Sequence, residues 1–496
     1  MQGSSSSFFC LSIDALNICF EKNQEKKSCA CECLSHHMPA RKQRIIDESA
    51  PSHSPFMADF ARNYERRTAK SKRLYSRSTK VFPGGISHNI RFYEPYPFFA
   101  ESARGTKITD ADGNAYTDYW MGHWALILGH SPKPIADALA YQAKRGTLYG
   151  TVNRPSVELA ELIQKLMPRA EMMRFSSTGS EATMYAVRLA RAKTGRRVIA
   201  KAIGGWHGFN TTLMQTVNYP FEFEEGPGLV QDEGQYVESI PFNDLDASLK
   251  VLENIKDDLA CIIIEPVLGG AGCITPADGY LQGLQEFARK NGSLFILDEI
   301  VTGFRLSIHG AASLYGLEPD IFTLGKIAGG GLPIGIVCGD KDIMSLADPI
   351  LRKDKGARCA IGGGTFSANP LTMAAGLATL NFLKKNPGVY SKINRLGEDT
   401  RKGLRKIFVE ENIPCEVTGT GSVFMPHFGK STVRDASDVA TSDKAALNRY
   451  HLSLMADHGI FFLPGKMGAI SYAHERADVK KLLAATEAIC SSGILK

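Results

Sequence analysis

From about residue 100 the chain alternates short apolar runs with stretches whose apolar residues recur at helical spacing. The runs VIAKAI (198–203), CIIIEPV (261–267), LFILDEI (294–300) and IVCG (336–339) are rich in β-branched residues. Their apolar character is almost uninterrupted, as strands covered on both faces require. Between them SEATMYAVRLARAKTG (180–195) and GYLQGLQEFARKNG (279–292) read as helices. Each ends at a glycine, a common helix stop. The alternation predicts an α/β fold with a mostly parallel sheet of roughly 250 residues, assigned to 116–375. After ANPLTMAAGLATLNFLKKN (368–386) the pattern changes to a long helix followed by mixed strands and helices. Residues 376–496 are therefore expected to form a smaller α+β domain. Residues 57–115, a basic helix and strands, are expected to contribute to that small domain. No internal repeat is visible.

Residues 1–56 lack this patterning. They hold a serine run, clustered cysteines and a polar stretch ending DESAPSHSPF (47–56), and read as a disordered leader. The opening lacks the charged region of a secretory signal and carries many acids for an organellar transit peptide. Met57 is an alternative start, because regular patterning begins just after it. A chain of residues 57–496 that was insoluble or inactive would rule this out.

The net charge of +6 over 496 residues has a single origin. Residues 57–80 carry eight basic and two acidic residues, whereas 1–56 carry six of each. The rest of the chain is balanced, so nothing points to a nucleic-acid-binding body. The basic stretch ARNYERRTAKSKRLYSRSTK (61–80) is expected to be an amphipathic helix or an arm at a subunit interface. No apolar run approaches the ~20 residues of a membrane-spanning helix, so no membrane partner is expected. Six of the eleven cysteines (Cys261, Cys273, Cys338, Cys359, Cys415 and Cys490) are scattered singly. That scatter suggests reduced thiols and a cytoplasmic location. CACECLSHH (29–37) lacks a second paired knuckle, so no metal site is expected.

Three segments carry candidate chemistry. LFILDE ends a buried-type strand on Asp298, a carboxylate that must be paired or hydrogen-bonded there. It either caps the following helix or meets a cationic ring nitrogen. RFSSTGSEAT (174–183) opens a helix with the capping-box spacing Thr178–Glu181, and Gly179 lets backbone N–H groups approach an anion such as a phosphate. In DIFTLGKIAGGGLPIG (320–335), Lys326 follows an apolar strand and precedes the glycines. The phosphate-loop pattern requires glycines before the lysine and a hydroxyl after it, so that reading fails. A lysine at a strand end beside apolar residues fits a desolvated Schiff-base nucleophile better than a surface lysine.

Together, SSTGSEATMYAVRLARAKTG, GGWHGFN, IIIEPVLGG, LFILDEIVTGFR, PDIFTLGKIAGGGLPIG and GGTFSANPLTMAAGLATL resemble, in order and spacing, the class III pyridoxal-phosphate-dependent aminotransferases. The likeness is greatest to the glutamate-1-semialdehyde aminomutase branch and runs from about Tyr64 to the C-terminus. It implies the PLP-dependent transferase fold of type I, with a seven-stranded sheet and a smaller domain. It also implies a homodimer with shared active sites acting on small-molecule amino acid and keto or aldehyde substrates.

By this resemblance Lys326 would bind pyridoxal 5'-phosphate as a Schiff base and then move the substrate proton. Asp298 would hold the ring nitrogen protonated. Thr178, Gly179 and Ser180 would hold the phosphate. Trp206, followed by His207, stands where the family has an aromatic residue stacked on the ring. Ile300 would pack on the other ring face, and Thr365 would reach the phosphate of the neighbouring subunit. Glu181 and Glu265 match acidic positions near the cofactor. In PGGISHNIRFY (83–93) Arg91 would bind the substrate carboxylate in preference to a structural ion pair.

Three departures bear on substrate. Gly270 replaces an asparagine, Ser87-His88-Asn89 replaces an Asn-Ser-Pro triplet, and PGKMGAISYAH (464–474) puts Lys466 where that branch has glutamate. A lysine there repels an amine and attracts a second carboxylate. The expectation is therefore transamination of an amino acid, a β-amino acid among the options. Glutamate-1-semialdehyde aminomutase is the alternative, and an epimerase or racemase a third. A non-catalytic relative would have lost Lys326 or Asp298, and both are present.

Overall fold

A computed structural model describes residues 55–221, 225–229, 231–354, 356 and 358–495. The expected leader thus lies outside the described residues, apart from Pro55 and Phe56. These two open the helix Pro55–Arg67 instead.

The apolar runs become strands where the pattern placed them. Three short strands come first: β1 (Ala100–Arg104), β2 (Lys107–Asp110) and β3 (Ala115–Asp118). The large sheet uses β4 (Met172–Ser176), β5 (Val198–Ala202), β6 (Val237–Ile240), β7 (Leu259–Ile264), β8 (Leu294–Glu299), β9 (Ile321–Gly325) and β10 (Gly335–Gly339). Then follow β11 (Cys415–Thr418), β12 (Val423–Phe428), β13 (Ile460–Phe461) and β14 (Gly468–Ala469).

The large sheet has seven strands in the order β4-β10-β9-β8-β7-β5-β6. Only β10 runs against its neighbours. Every residue of β5, β7, β8, β9 and β10 is buried, which is why those runs carry no polar alternation. The helices Gly179–Thr194 and Tyr280–Asn291 stop on Gly195 and Gly292, both left-handed, where glycine has no side chain to clash. The helix Pro370–Lys385 runs through residue 375, where the pattern expected a boundary.

The chain's two ends meet in a smaller sheet. β1, β2 and β3 pair antiparallel, and β13, from far along the chain, joins β3 in parallel. The basic stretch forms two helices, Pro55–Arg67 and Ala69–Ser78. Met57, Phe60 and Tyr64 are buried with Leu452 and Met455 of the helix Lys444–His458. The amphipathic reading thus holds, with the apolar stripe docked on the body of the protein. Among the described residues no helix is long and apolar enough to cross a membrane, and no cluster of metal-binding side chains is found.

Candidate active site

The carboxyl ends of β4, β5, β7, β8 and β9 lie at one edge of the large sheet, where open α/β sheets collect ligands. Antiparallel β10 enters that edge at Gly335, which pairs with Ser176 on one side and Gly325 on the other. A side chain at Gly335 would overlap the Thr178 carbonyl oxygen. Glycine there lets the turns after β4 and β9 close up on a single point.

Asp298, the penultimate residue of β8, is buried, and both of its carboxylate oxygens accept hydrogen bonds. Oδ1 accepts from Thr323 Oγ1 at 2.8 Å and from the Ile300 N–H at 3.1 Å, and Oδ2 accepts from His207 Nδ1 at 2.8 Å. A carboxylate only accepts, so Nδ1 carries the imidazole proton. Burial holds His207 below its ordinary range despite the carboxylate, and its Nε2 is buried without a hydrogen-bond partner. The Thr183 hydroxyl fixes the His207 carbonyl at 2.6 Å. The helix-capping reading of Asp298 gives way to this three-donor arrangement.

Lys326 follows the last residue of β9 with φ of 45°, at the start of the tight turn Lys326–Gly329. Its amine has no hydrogen-bond partner among the described residues. Burial shifts its titration down against the pull of Asp298 and Glu265, so more of the amine is neutral and nucleophilic. The glycines after it allow close packing. A side chain at Gly330, itself left-handed, would stand 2.7 Å from the Ala375 carbonyl oxygen on the helix Pro370–Lys385.

Thr178 caps the helix Gly179–Thr194 through a complete capping box. Glu181 Oε2 accepts from the Ser177 and Thr178 N–H groups, both at 2.9 Å, and Thr178 Oγ1 accepts from the Glu181 N–H at 3.2 Å. The Thr178 hydroxyl and the Glu181 carboxylate therefore build the turn itself. The N–H groups of Gly179 and Ser180 open the helix, where no carbonyl of the same helix reaches them. These two amides and the Ser180 hydroxyl, which accepts from the Phe209 N–H at 3.2 Å, are the donors the turn leaves for an anion.

Ile300 fills the space between the two turns, with methyl groups beside both Gly179 and Gly325. Trp206 is half-exposed and meets the Phe209 ring edge-on at 4.9 Å. Its backbone N–H donates to Glu265 Oε1 at 2.9 Å, while Oε2 accepts from the Gly269 N–H at 3.1 Å. Burial, reinforced by the Asp298 charge, pushes Glu265 up to about 8. Gly270 faces Trp206, with room for a side chain at ordinary contact distance.

Lys466 is half-buried, its amine has no partner among the described residues, and burial shifts it down. Arg91 is exposed and donates to Ser87 Oγ at 2.9 Å. Thr365 is also exposed, on a segment whose Gly364 passes close to Glu181 Oε1.

The sequence reading missed four residues here. Thr323 was visible as one hydroxyl inside an apolar run. Lys201, fully buried on β5, donates to the Gln215 carbonyl at 2.6 Å, and burial pushes it down to about 7. Arg305 is buried and donates to the Trp124 carbonyl at 2.7 Å, to Ser422 Oγ at 3.2 Å and to the Ile470 carbonyl at 3.3 Å. The fourth is His123, in a turn where Met121, Gly122, His123 and Trp124 all have positive φ. Left-handed backbone costs roughly 1–2 kcal/mol for each residue with a side chain, so this turn is imposed by its surroundings. Asp118 Oδ1 accepts from the Trp120 N–H at 2.7 Å and the Met121 N–H at 3.1 Å, fixing one end. Trp124 Nε1, donating to the Met467 carbonyl at 3.0 Å, and Arg305 fix the other.

A half-buried lysine, a buried carboxylate and a helix N-terminus at one sheet edge are the parts of a pyridoxal-phosphate site. The chain belongs to the class III aminotransferase family, whose model matches residues 91–472. It is a pyridoxal-phosphate-dependent enzyme of that family. It is 39% identical over 425 residues to the glutamate-1-semialdehyde 2,1-aminomutase of Methanothermobacter thermautotrophicus, covering 85% of this chain and 99% of the relative. Among solved structures it is similar to an omega-transaminase from Sphaerobacter thermophilus, with 32% identity, a TM-score of 0.81, and 86% and 99% of the two chains covered. It is also similar to a β-phenylalanine aminotransferase from Variovorax paradoxus, with 31% identity, a TM-score of 0.81, and 89% and 98% covered. The residues present fit the cofactor. The Lys326 amine has no hydrogen-bond partner among the described residues, the Asp298 carboxylate is oriented by three donors, and the Gly179 and Ser180 amides are open to an anion.

Proposed function

We propose that the protein is an aminotransferase whose amino acid substrate carries a second anionic group. The observation that carries this reading is the Lys466 amine, half-buried and without a hydrogen-bond or ion-pair partner among the described residues. An amine bound beside it would face like-charge repulsion, and a carboxylate would satisfy it. When bound, pyridoxal phosphate supplies an electron sink for the charge released at the substrate Cα.

The chain's own residues divide the remaining work. Lys326 would hold the cofactor and would serve as the base that moves the Cα proton; burial favours the neutral amine this requires. Asp298 holds the proton on the ring nitrogen, and His207 and Thr323 fix that carboxylate in place. The Gly179 and Ser180 amides and the Ser180 hydroxyl bind the phosphate, while Thr178 and Glu181 shape their turn. Trp206 and Ile300 bound the ring on its two faces, with Glu265 anchoring the Trp206 backbone. Arg91 takes the α-carboxylate. Exposed Thr365, next to exposed Phe366, fits a homodimer in which it reaches the partner's phosphate. The thiols of Cys261, Cys273 and Cys338, all buried, support a reducing, cytoplasmic setting.

Purified protein should be yellow with bound cofactor, and Lys326→Ala should lose turnover. Half-reactions with dicarboxylic, β- and monocarboxylic amino acids then rank the substrates. A colourless protein that binds no pyridoxal phosphate would overturn the reading. The second reading, glutamate-1-semialdehyde aminomutase, is favoured by the 39% identity to the mutase named above. Efficient formation of 5-aminolevulinate from glutamate-1-semialdehyde would establish it instead.

A further inference from the structure

His123 has no role in the site described so far. Its ring is stacked on Trp120 with centroids 4.6 Å apart and meets Trp124 edge-on at 4.8 Å. Its nitrogens have no hydrogen-bond partner among the described residues. The ring is half-buried. Lys326, His88, Lys466 and Arg91 all act on it electrostatically. Two contacts place the turn that carries it beside Lys466 and the loop after Lys326. Trp124 Nε1 is tied to the carbonyl of Met467, the neighbour of Lys466. The Leu126 side chain packs against both Gly122 and Gly331, joining the left-handed turn to the glycine loop after Lys326.

Resting on the aminotransferase reading, we propose that His123 is a substrate-specificity residue that donates a hydrogen bond to the distal carboxylate of a dicarboxylic amino acid, alongside Lys466. The left-handed turn is the device that presents it, because ordinary helical backbone would aim the side chain back along the preceding turn. Burial and the surrounding cations push the imidazole down to about 3, so it stays neutral and keeps one donor and one acceptor. It therefore recognises the carboxylate by hydrogen bonding, while Lys466 supplies the charge.

The test uses the cofactor-loaded enzyme and two variants chosen for the backbone. His123→Gly removes the ring but adopts the left-handed turn without strain, and His123→Asn keeps an N–H donor in a residue that tolerates it. Calorimetric titration with glutarate, a probe that cannot react, reports binding apart from turnover. His123→Gly should weaken glutarate and raise the KM for glutamate and 2-aminoadipate by roughly 10- to 100-fold, the value of a hydrogen bond to a charged group. The KM for alanine should stay within about twofold, and His123→Asn should recover most of the loss. Two results would overturn the proposal: glutarate binding unchanged in His123→Gly, or equal losses for alanine and glutamate. Absence of bound cofactor in the unaltered protein would instead count against the aminotransferase reading.

Discussion

Thr323→Val preserves side-chain shape inside β9 and deletes one donor to the carboxylate that defines the site. Thr323 is fully buried and Asp298 nearly so, hence water cannot take the place of the lost hydroxyl. Oδ1 is then left with the Ile300 N–H at 3.1 Å, and Oδ2 keeps His207. A hydrogen bond to a buried charged acceptor contributes about 1.5–3 kcal/mol. Thr323→Ser keeps the bond and loses one methyl group, for about 1 kcal/mol. Urea unfolding of the apoprotein should therefore rank the unaltered protein above Ser, and Ser above Val. Fluorescence titration with pyridoxal phosphate adds a second measure. If the carboxylate charge is what grips the ring nitrogen, Thr323→Val should weaken cofactor binding by roughly ten- to hundredfold. A Thr323→Val protein within about 0.5 kcal/mol of the original, with unchanged cofactor affinity, would refute the claim that Thr323 holds Asp298 in its working state.

Gly335→Ala should be severely destabilising, and its remaining folded fraction should lose phosphate affinity, because its side chain meets the rigid Thr178 carbonyl; inorganic phosphate titration and thermal melting check both. Stability of the apoprotein should pass through a trough near neutral to mildly alkaline pH. Glu265, raised from 4.5 to about 8, contributes stability that is full below 4.5 and lost as pH rises through about 8. Lys201, lowered from 10.5 to about 7, contributes stability that is full above 10.5 and lost as pH falls through about 7. Lys201→Met should diminish the alkaline recovery, the rest coming from Lys326 and Lys466, which burial also lowers; urea midpoints measured across that range that keep the same alkaline limb would count against a neutral buried Lys201. Lys466→Glu should lower kcat/KM for dicarboxylic amino acids by more than tenfold while sparing alanine, and an unchanged ranking of substrates would remove Lys466 from the specificity argument.

The large sheet was legible because strands buried on both faces must be apolar throughout, and because Asp298 and Lys326 interrupt such runs at their carboxyl ends. Polar residues whose neighbours explain them were harder to read. Thr178 and Glu181 carried the right spacing, yet that spacing does not say that their side chains are spent on each other. Arg305 looks like a surface residue until three segments distant in sequence surround it. The turn Met121–Trp124 was invisible for a different reason. Hydrophobic periodicity reports which face a residue occupies, and a sign change in φ leaves no trace in it. Only Gly122 hints at the conformation, and its three companions adopt it under the constraint of Asp118, Arg305 and Met467.

The pairing of β13 with β3 joins Phe461 to Asp118. Trp124 reaches equally far, to Met467. During synthesis the first wall of the cleft must therefore wait for the last part of the chain. Such long closures are slow to form, and they leave early strands without partners meanwhile. A nascent chain several hundred residues long can already contain Asp298 and Lys326 and still lack a finished pocket. The turn Met121–Trp124 beside the loop after Lys326 is thus not tied down until the chain has been made to about Met467.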